Sequence, residues 1–153
     1  MSTGTQPPTA IPVSPSFGLP RYGAPISLAD AKRVAEAAEA EALANGWPAV
    51  IAIFDSTGQL ALLHRMDQSN LGAVHLAQRK AETAVRFRRA TKAFEEIIAG
   101  GGIRLLSVAD DIITLEGGLP LIQGGLVVGS IGVSGMASDQ DAQCAAAGVR
   151  QLL

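Results

Sequence analysis

Arg65, Lys80 and Glu116 are the charged residues best placed to act on a ligand. Arg65 closes the apolar run Gln59 to Arg65. Lys80 shares a lane of a predicted helix with Ala73, Leu76, Ala84 and Phe87, and Glu116, just before Gly117-Gly118, is the one charge in Leu115 to Gly135. Burying such a charge without a partner costs on the order of several kcal/mol, so partners are expected. Two readings follow. In the first, a Lys80–Glu116 or Arg65–Glu116 salt bridge holds helix to sheet. In the second, the three converge on a glycine-lined hollow for a small carboxylate: Arg65 and Lys80 grip the anion, glycine N–H groups add donors, and Glu116 moves a proton as acid or base.

The remaining reactive side chains are sparse. His64 ends a strand in alternation with Leu62, and His75 falls on a polar helix face; each reads first as a surface or hydrogen-bonded histidine. Cys144, the single cysteine, lies in alanine-rich sequence and reads as a small buried hydrophobe, with no CxxC or Cys/His spacing for zinc. Ser134 in G-V-S-G lacks the frame of a nucleophile elbow. Asp110 and Asp111 are adjacent, splay apart if extended, and read as loop.

The elements that must position these groups are legible from periodicity and punctuation. Ser27 reads as the N-cap, with Asp30 completing a capping box, of a helix that stops at Asn45-Gly46. Leu28, Ala31, Val34, Ala35, Ala38, Ala42 and Leu43 form its buried stripe. Trp47 to Phe54 and Gln59 to Arg65 pair as a hairpin around Asp55-Ser56-Thr57-Gly58. Asn70 caps a helix to about Phe87, with Leu71, Val74, Ala77, Ala81 and Val85 inward and His75, Arg79, Glu82 and Arg86 on one polar face. A shorter helix from near Thr91 stops at Gly100-Gly101-Gly102. Ile103 to Asp111 is an irregular connection or a short strand, and Ile112 to Leu115 leads into a second hairpin, Leu119 to Ile122 and Leu126 to Val133, joined by Gln123-Gly124-Gly125. A last helix starts at Ser138 or Asp139. Hairpins with helices segregated from them in sequence define an α+β fold with an antiparallel sheet.

With 153 residues, 48% hydrophobic, 17% charged and net charge −2, the chain fits one globular domain, and this charge argues against nucleic acid as a partner. Basic residues nevertheless cluster between Arg79 and Lys92, against four acids from Asp30 to Glu41, as complementary solvated helix faces do. No apolar run reaches the roughly 18 residues of a membrane span. Six of the eight prolines fall in residues 1–25, which predicts a flexible arm ahead of a domain over 26–153. The start lacks the pattern of a signal peptide, so a cytoplasmic protein is expected. The alanine-rich helices and the arm offer surface for self-association.

Several separated strings carry a family resemblance: R-M-D at Arg65 to Asp67, A-Q-R-K-A-E-T-A at Ala77 to Ala84, R-A-T-K-A-F-E-E at Arg89 to Glu96, T-L-E-G-G-L-P-L, G-S-I-G-V-S-G and D-Q-D-A-Q. In this order they resemble the GlcG/HbpS family, related to the C-terminal domain of PduO-type proteins, and the T-L-E-G-G form is closest to the GlcG branch. The resemblance covers about Ile26 onward. It implies a profilin-like or PAS-like five-stranded antiparallel sheet flanked by helices, a homo-oligomer with an even number of subunits, and binding of haem or a related tetrapyrrole, for which His75 and His64 are the candidate ligands. The metabolic company of the GlcG branch implies an alternative, an enzyme or sensor of isomerase or lyase type acting on a small organic acid through Glu116, Lys80 and Arg65. An oligomer of purely structural role is the third alternative.

Overall fold

The structure, a computed structural model, describes residues 18–108 and 110–153. Among these, the elements run α1 (Leu28–Ala44), β1 (Val50–Asp55), β2 (Leu60–Arg65), α2 (Gly72–Phe87), α3 (Lys92–Ala99), β3 (Gly118–Gln123), β4 (Leu126–Ser134) and α4 (Ser138–Val149), with 3-10 turns at Ile103–Val108 and Arg150–Leu152. At the start of α1 the Ser27 hydroxyl accepts a hydrogen bond from the Asp30 N–H at 3.1 Å, satisfying one of the helix's orphan donors. The helix ends at Asn45, whose side-chain amide donates to the Glu41 carbonyl at 2.8 Å, and Gly46 follows at φ +71°. Ala31, Val34, Ala35, Ala38 and Ala42 are fully buried, as their spacing predicts. Leu28 and Leu43 are exposed instead, because Leu43 stands one position and about 100° past Ala42 on the helix wheel.

Two hairpins make the sheet. β1 pairs with β2, β3 pairs with β4, and β1 pairs with β4, all antiparallel, giving the order β2-β1-β4-β3. Alternation along β1 divides the core. Ile51 and Ile53 face α1 and the Cys144–Ala145 turn of α4, while Val50, Ala52 and Phe54 face Ala73, Ala77, Ala81 and Val85 of α2. α2 approaches the sheet closely because Gly118 and Gly132, which are cross-strand partners, lie beneath it. A Cβ on Gly132 would collide with the Ala77 carbonyl, and one on Gly118 with the Lys80 carbonyl.

The sheet has four strands among the described residues, not the five expected. The stretch between α3 and β3 winds through a 3-10 turn and then coil, and side chains take up its backbone donors: the Ile113 N–H donates to Thr83 Oγ1 at 3.0 Å, and the Glu116 N–H to Glu95 Oε2 at 2.8 Å. On the outer side of β3, the Gly118 carbonyl accepts from the Thr91 N–H, and Pro120 has no N–H to offer a further strand.

Of the arm expected over residues 1–25, the first seventeen lie outside the described residues. The following stretch runs beside β4 where β1 has ended: the Val127 N–H donates to the Arg21 carbonyl at 2.8 Å and the Gly23 N–H to the Val127 carbonyl at 2.9 Å. Tyr22 is fastened to the end of α2, its hydroxyl donating to the Val85 and Arg86 carbonyls, with the Arg88 guanidinium over its ring. Among the described residues no helix is long and apolar enough to cross a membrane.

Candidate functional site

Neither salt bridge expected for Glu116 forms. Lys80 is drawn inside, 2% exposed, because α2 lies on the Gly118–Gly132 pair and carries it past the sheet. Its ammonium donates to Asp141 Oδ2 at 2.8 Å and to the Val133 carbonyl at 3.0 Å, tying α2 to β4 and α4. Asp141, 2% exposed, uses its other oxygen to accept from the Met136 N–H at 3.0 Å. Burial pushes the Asp141 carboxyl above the usual carboxylate range, although the Lys80 charge pulls the other way.

Glu116 turns away from this pair. Its carboxylate lies 3.3 Å from Lys92 Nζ on α3. Gly117, at φ +126°, redirects the chain between the two ion pairs, and a Cβ there would fall 2.9 Å from Lys80 Nζ. Arg65 is exposed at the end of β2, where it lines a polar hollow of about 390 Å³ with Met66, Asp67 and Gln68. The three residues expected to share one ligand thus have three different surroundings, and two of them are charge-paired within the chain.

A different constellation gathers at the same end of β2. His64 Nδ1 lies 3.1 Å from Glu39 Oε2 of α1, and Nε2 has no hydrogen bond among the described residues. Glu39 in turn lines a hollow of about 250 Å³ with Leu43, Arg65, Met66 and Asp67, and a neighbouring apolar hollow of about 190 Å³ is walled by Leu43, Trp47, Pro48 and Met66. α1 places Glu39 and Leu43 one turn apart on one face, and the antiparallel pairing of β2 with β1 sets His64 opposite Ile51. His75, by contrast, is exposed on α2 with no hydrogen-bond partner among the described residues.

The sequence pointed to neither Asp141 nor Glu39. Asp141 sits in the string D-Q-D-A-Q, so its signal was an acid in the first turn of a helix within a recurrent motif. Glu39 stands 25 residues from its partner, and no local pattern marks it. Cys144 is buried and its thiol is pushed up to about 11 by that burial, which leaves it protonated and unreactive at neutral pH.

This fold and these strings define a known class. Residues 26–150 match the family described as haem degrading protein HbpS-like, and the chain belongs to that family. The protein GlcG of Escherichia coli (strain K12) is 38% identical over 104 residues, covering 68% of this chain and 77% of that one. Among solved structures, a PduOC:heme complex superposes with a TM-score of 0.76 at 27% identity, over 83% of this chain and 94% of that one. A double mutant of Streptomyces reticuli HbpS superposes with a TM-score of 0.77 at 30% identity, over 95% of this chain and 99% of that one.

Proposed function

We propose that this protein binds haem or a related tetrapyrrole at the end of β2, with His64 as ligand to the iron. The observation that carries this reading is the His64–Glu39 pair, whose Glu39 lines a hollow with Leu43 and Met66. A ligating imidazole usually donates one ring N–H to a carboxylate and keeps the other nitrogen for metal. Haem supplies an iron that takes such a nitrogen axially and a flat apolar ring with two carboxylates. Leu43, Trp47 and Met66 offer the ring apolar contact, and Arg65 offers the propionates a cation. The family description and the PduOC:heme structure support the ligand class. The acid–base reading needs Lys80 and Glu116 free to meet a small organic acid, and nothing in the geometry favours it. Titrating the full chain with ferric haem should give a sharp, saturable change in the Soret band at one haem per chain. A shallow, non-saturating change would overturn the proposal.

We also propose that the chain assembles with copies of itself. Ile97 on α3 and Ile103, Leu106, Val108 and Leu115 between α3 and β3 are exposed, an apolar surface of the kind that marks an interface. Light scattering should give an even-numbered oligomer, and a monomer at micromolar concentration would remove the proposal.

A further inference from the structure

We infer that β2 is the seat of a two-fold interface, its open edge pairing antiparallel with β2 of a second copy of this chain. The inference goes beyond the self-association proposed above, since it names a different surface, and it is independent of the haem reading. The two edges of the sheet differ. On β3, Pro120 has no N–H and the Gly118 carbonyl is taken by the Thr91 N–H. On β2 the register decides which groups are left open. The Met66 N–H donates to the Ala49 carbonyl at 3.0 Å, so the alternate pairs His64 with Ile51 and Leu62 with Ile53 carry the ladder to β1. The backbone groups of Leu63 and Arg65 then point away from β1, and none of them has a hydrogen-bond partner among the described residues.

Proteins usually blunt such an edge with a charge, a proline or a bulge. From Leu60 to His64 there is no acid, lysine, arginine or proline, and the one bulge, opposite Phe54, spares Leu62 to Arg65. Leu60 is 47% exposed, and Leu62 and Leu63 are only partly buried, the first against the α1 side of the core and the second against the α2 side. An added strand covers apolar side chains on both faces. A second copy meets the demands of this edge. In an antiparallel pair, outward-pointing residues must face outward-pointing residues. A two-fold axis at Leu63 satisfies that condition: Leu63 faces its own copy and exchanges both backbone bonds with it, Leu62 faces His64 of the second copy, and Arg65 faces Ala61. The one formal charge of the strand therefore never opposes its like. Such an axis closes on two chains and leaves no β2 edge for a third, which makes the subunit number even when a second surface adds to it.

The axis is read by a cysteine placed on it. Leu63→Cys sets two thiols on facing residues whose Cα atoms lie about 5.5 Å apart, within the reach of a disulfide. The native Cys144 is buried and stays silent. With a mild added oxidant, Leu63→Cys of the full chain should run as a covalent dimer on a non-reducing gel, whereas the parent and Gln59→Cys, exposed but off the axis, should run as single chains. Leu63→Lys sets like charges face to face and should halve the particle mass in light scattering at micromolar concentration, with an unchanged circular dichroism spectrum. If the parent is an oligomer, yet Leu63→Cys gives no covalent dimer and Leu63→Lys keeps the parent's mass, the β2 interface is overturned and assembly stands on another surface. If the Leu63 amide is protected from hydrogen exchange in the parent while Leu63→Cys fails to cross-link, some strand other than a second β2 covers the edge, which also overturns the inference. If the parent is a monomer, this inference and the proposed self-association fall together.

Discussion

Lys80→Met should lower the free energy of unfolding by about 3–5 kcal/mol, since it leaves Asp141 as an unpaired carboxylate in the interior. The two residues are each 2% exposed, so water cannot replace the missing ammonium, and the Val133 carbonyl loses its donor as well. The deficit should depend on pH, and its sign follows from the direction of the Asp141 shift. Burial raises the folded-state carboxyl above its unfolded value, so between those two values the native protein holds more protons than the unfolded chain. The stability supplied by this group therefore falls as pH rises through that window. Removing Lys80 takes away the charge that pulls the carboxyl back down, and the window widens upward. The deficit of Lys80→Met relative to the parent should thus be smallest in acid, where Asp141 is neutral, and grow toward neutral pH. All other carboxylates titrate alike in the two proteins and cancel. Urea unfolding of both between about pH 4 and pH 7 checks it. A deficit below about 1 kcal/mol that ignores pH would mean that the pair contributes no more than a surface contact. The double variant Lys80→Met, Asp141→Leu should recover much of the loss, because an apolar pair of similar volume avoids the desolvation of two charges.

What the sequence disclosed and what it withheld differ in kind. The hairpins and the α1 boundaries were legible because their determinants are local: Ser27 and Asn45-Gly46 punctuate the helix, and Asp55 and Gly124-Gly125 punctuate the turns. Asp55 Oδ1, for instance, accepts from the Thr57 N–H at 2.8 Å and the Gln59 N–H at 3.2 Å, a turn closed within five residues. The fifth strand was not settled by local sequence. Ile112 to Leu115 is as apolar as a strand, but the donors at Ile113 and Glu116 bond to Thr83 and Glu95, contacts set by where α2 and α3 come to rest. The ion pairs failed for the same reason. Glu116 is near Lys80 in the fold, yet the chain turns at Gly117, whose φ is +126°, and the carboxylate meets Lys92 while the ammonium meets Asp141. The burial of Lys80 was half visible, since its helix lane carries Ala73, Leu76 and Ala84. Its partner was invisible, because it sits 61 residues away at the start of another helix.

The second large effect is expected at Gly132, where the sheet admits α2. Any Cβ on this residue would meet the Ala77 carbonyl and the Ala81 backbone N–H, both part of a helix whose own hydrogen bonds keep it from yielding locally. The helix must lift as a body. Gly132→Ala should therefore cost about 1–3 kcal/mol, the usual range for overfilling a packed interior. Gly132→Val adds two methyl groups in the same space and should exceed about 4 kcal/mol, the range reserved for gross disruption. Lifting α2 also withdraws Lys80, one turn beyond Ala77, from Asp141, so Gly132→Ala and Lys80→Met should be less than additive. Gly124→Ala supplies the contrast. Its φ of +58° carries a strain of about 1–2 kcal/mol for a residue with a side chain, but no atom lies within 4 Å of the new carbon. Chemical denaturation of the four single variants should rank them Gly132→Val and Lys80→Met as the most damaging, then Gly132→Ala and Gly124→Ala with near-equal modest losses. Only the Gly132→Ala loss should shrink in the Lys80→Met background, whereas the Gly124→Ala loss should carry over in full. Equal losses for Gly132→Val and Gly124→Ala would show that α2 does not rest on the glycine pair, and the buried position of Lys80 would need another cause.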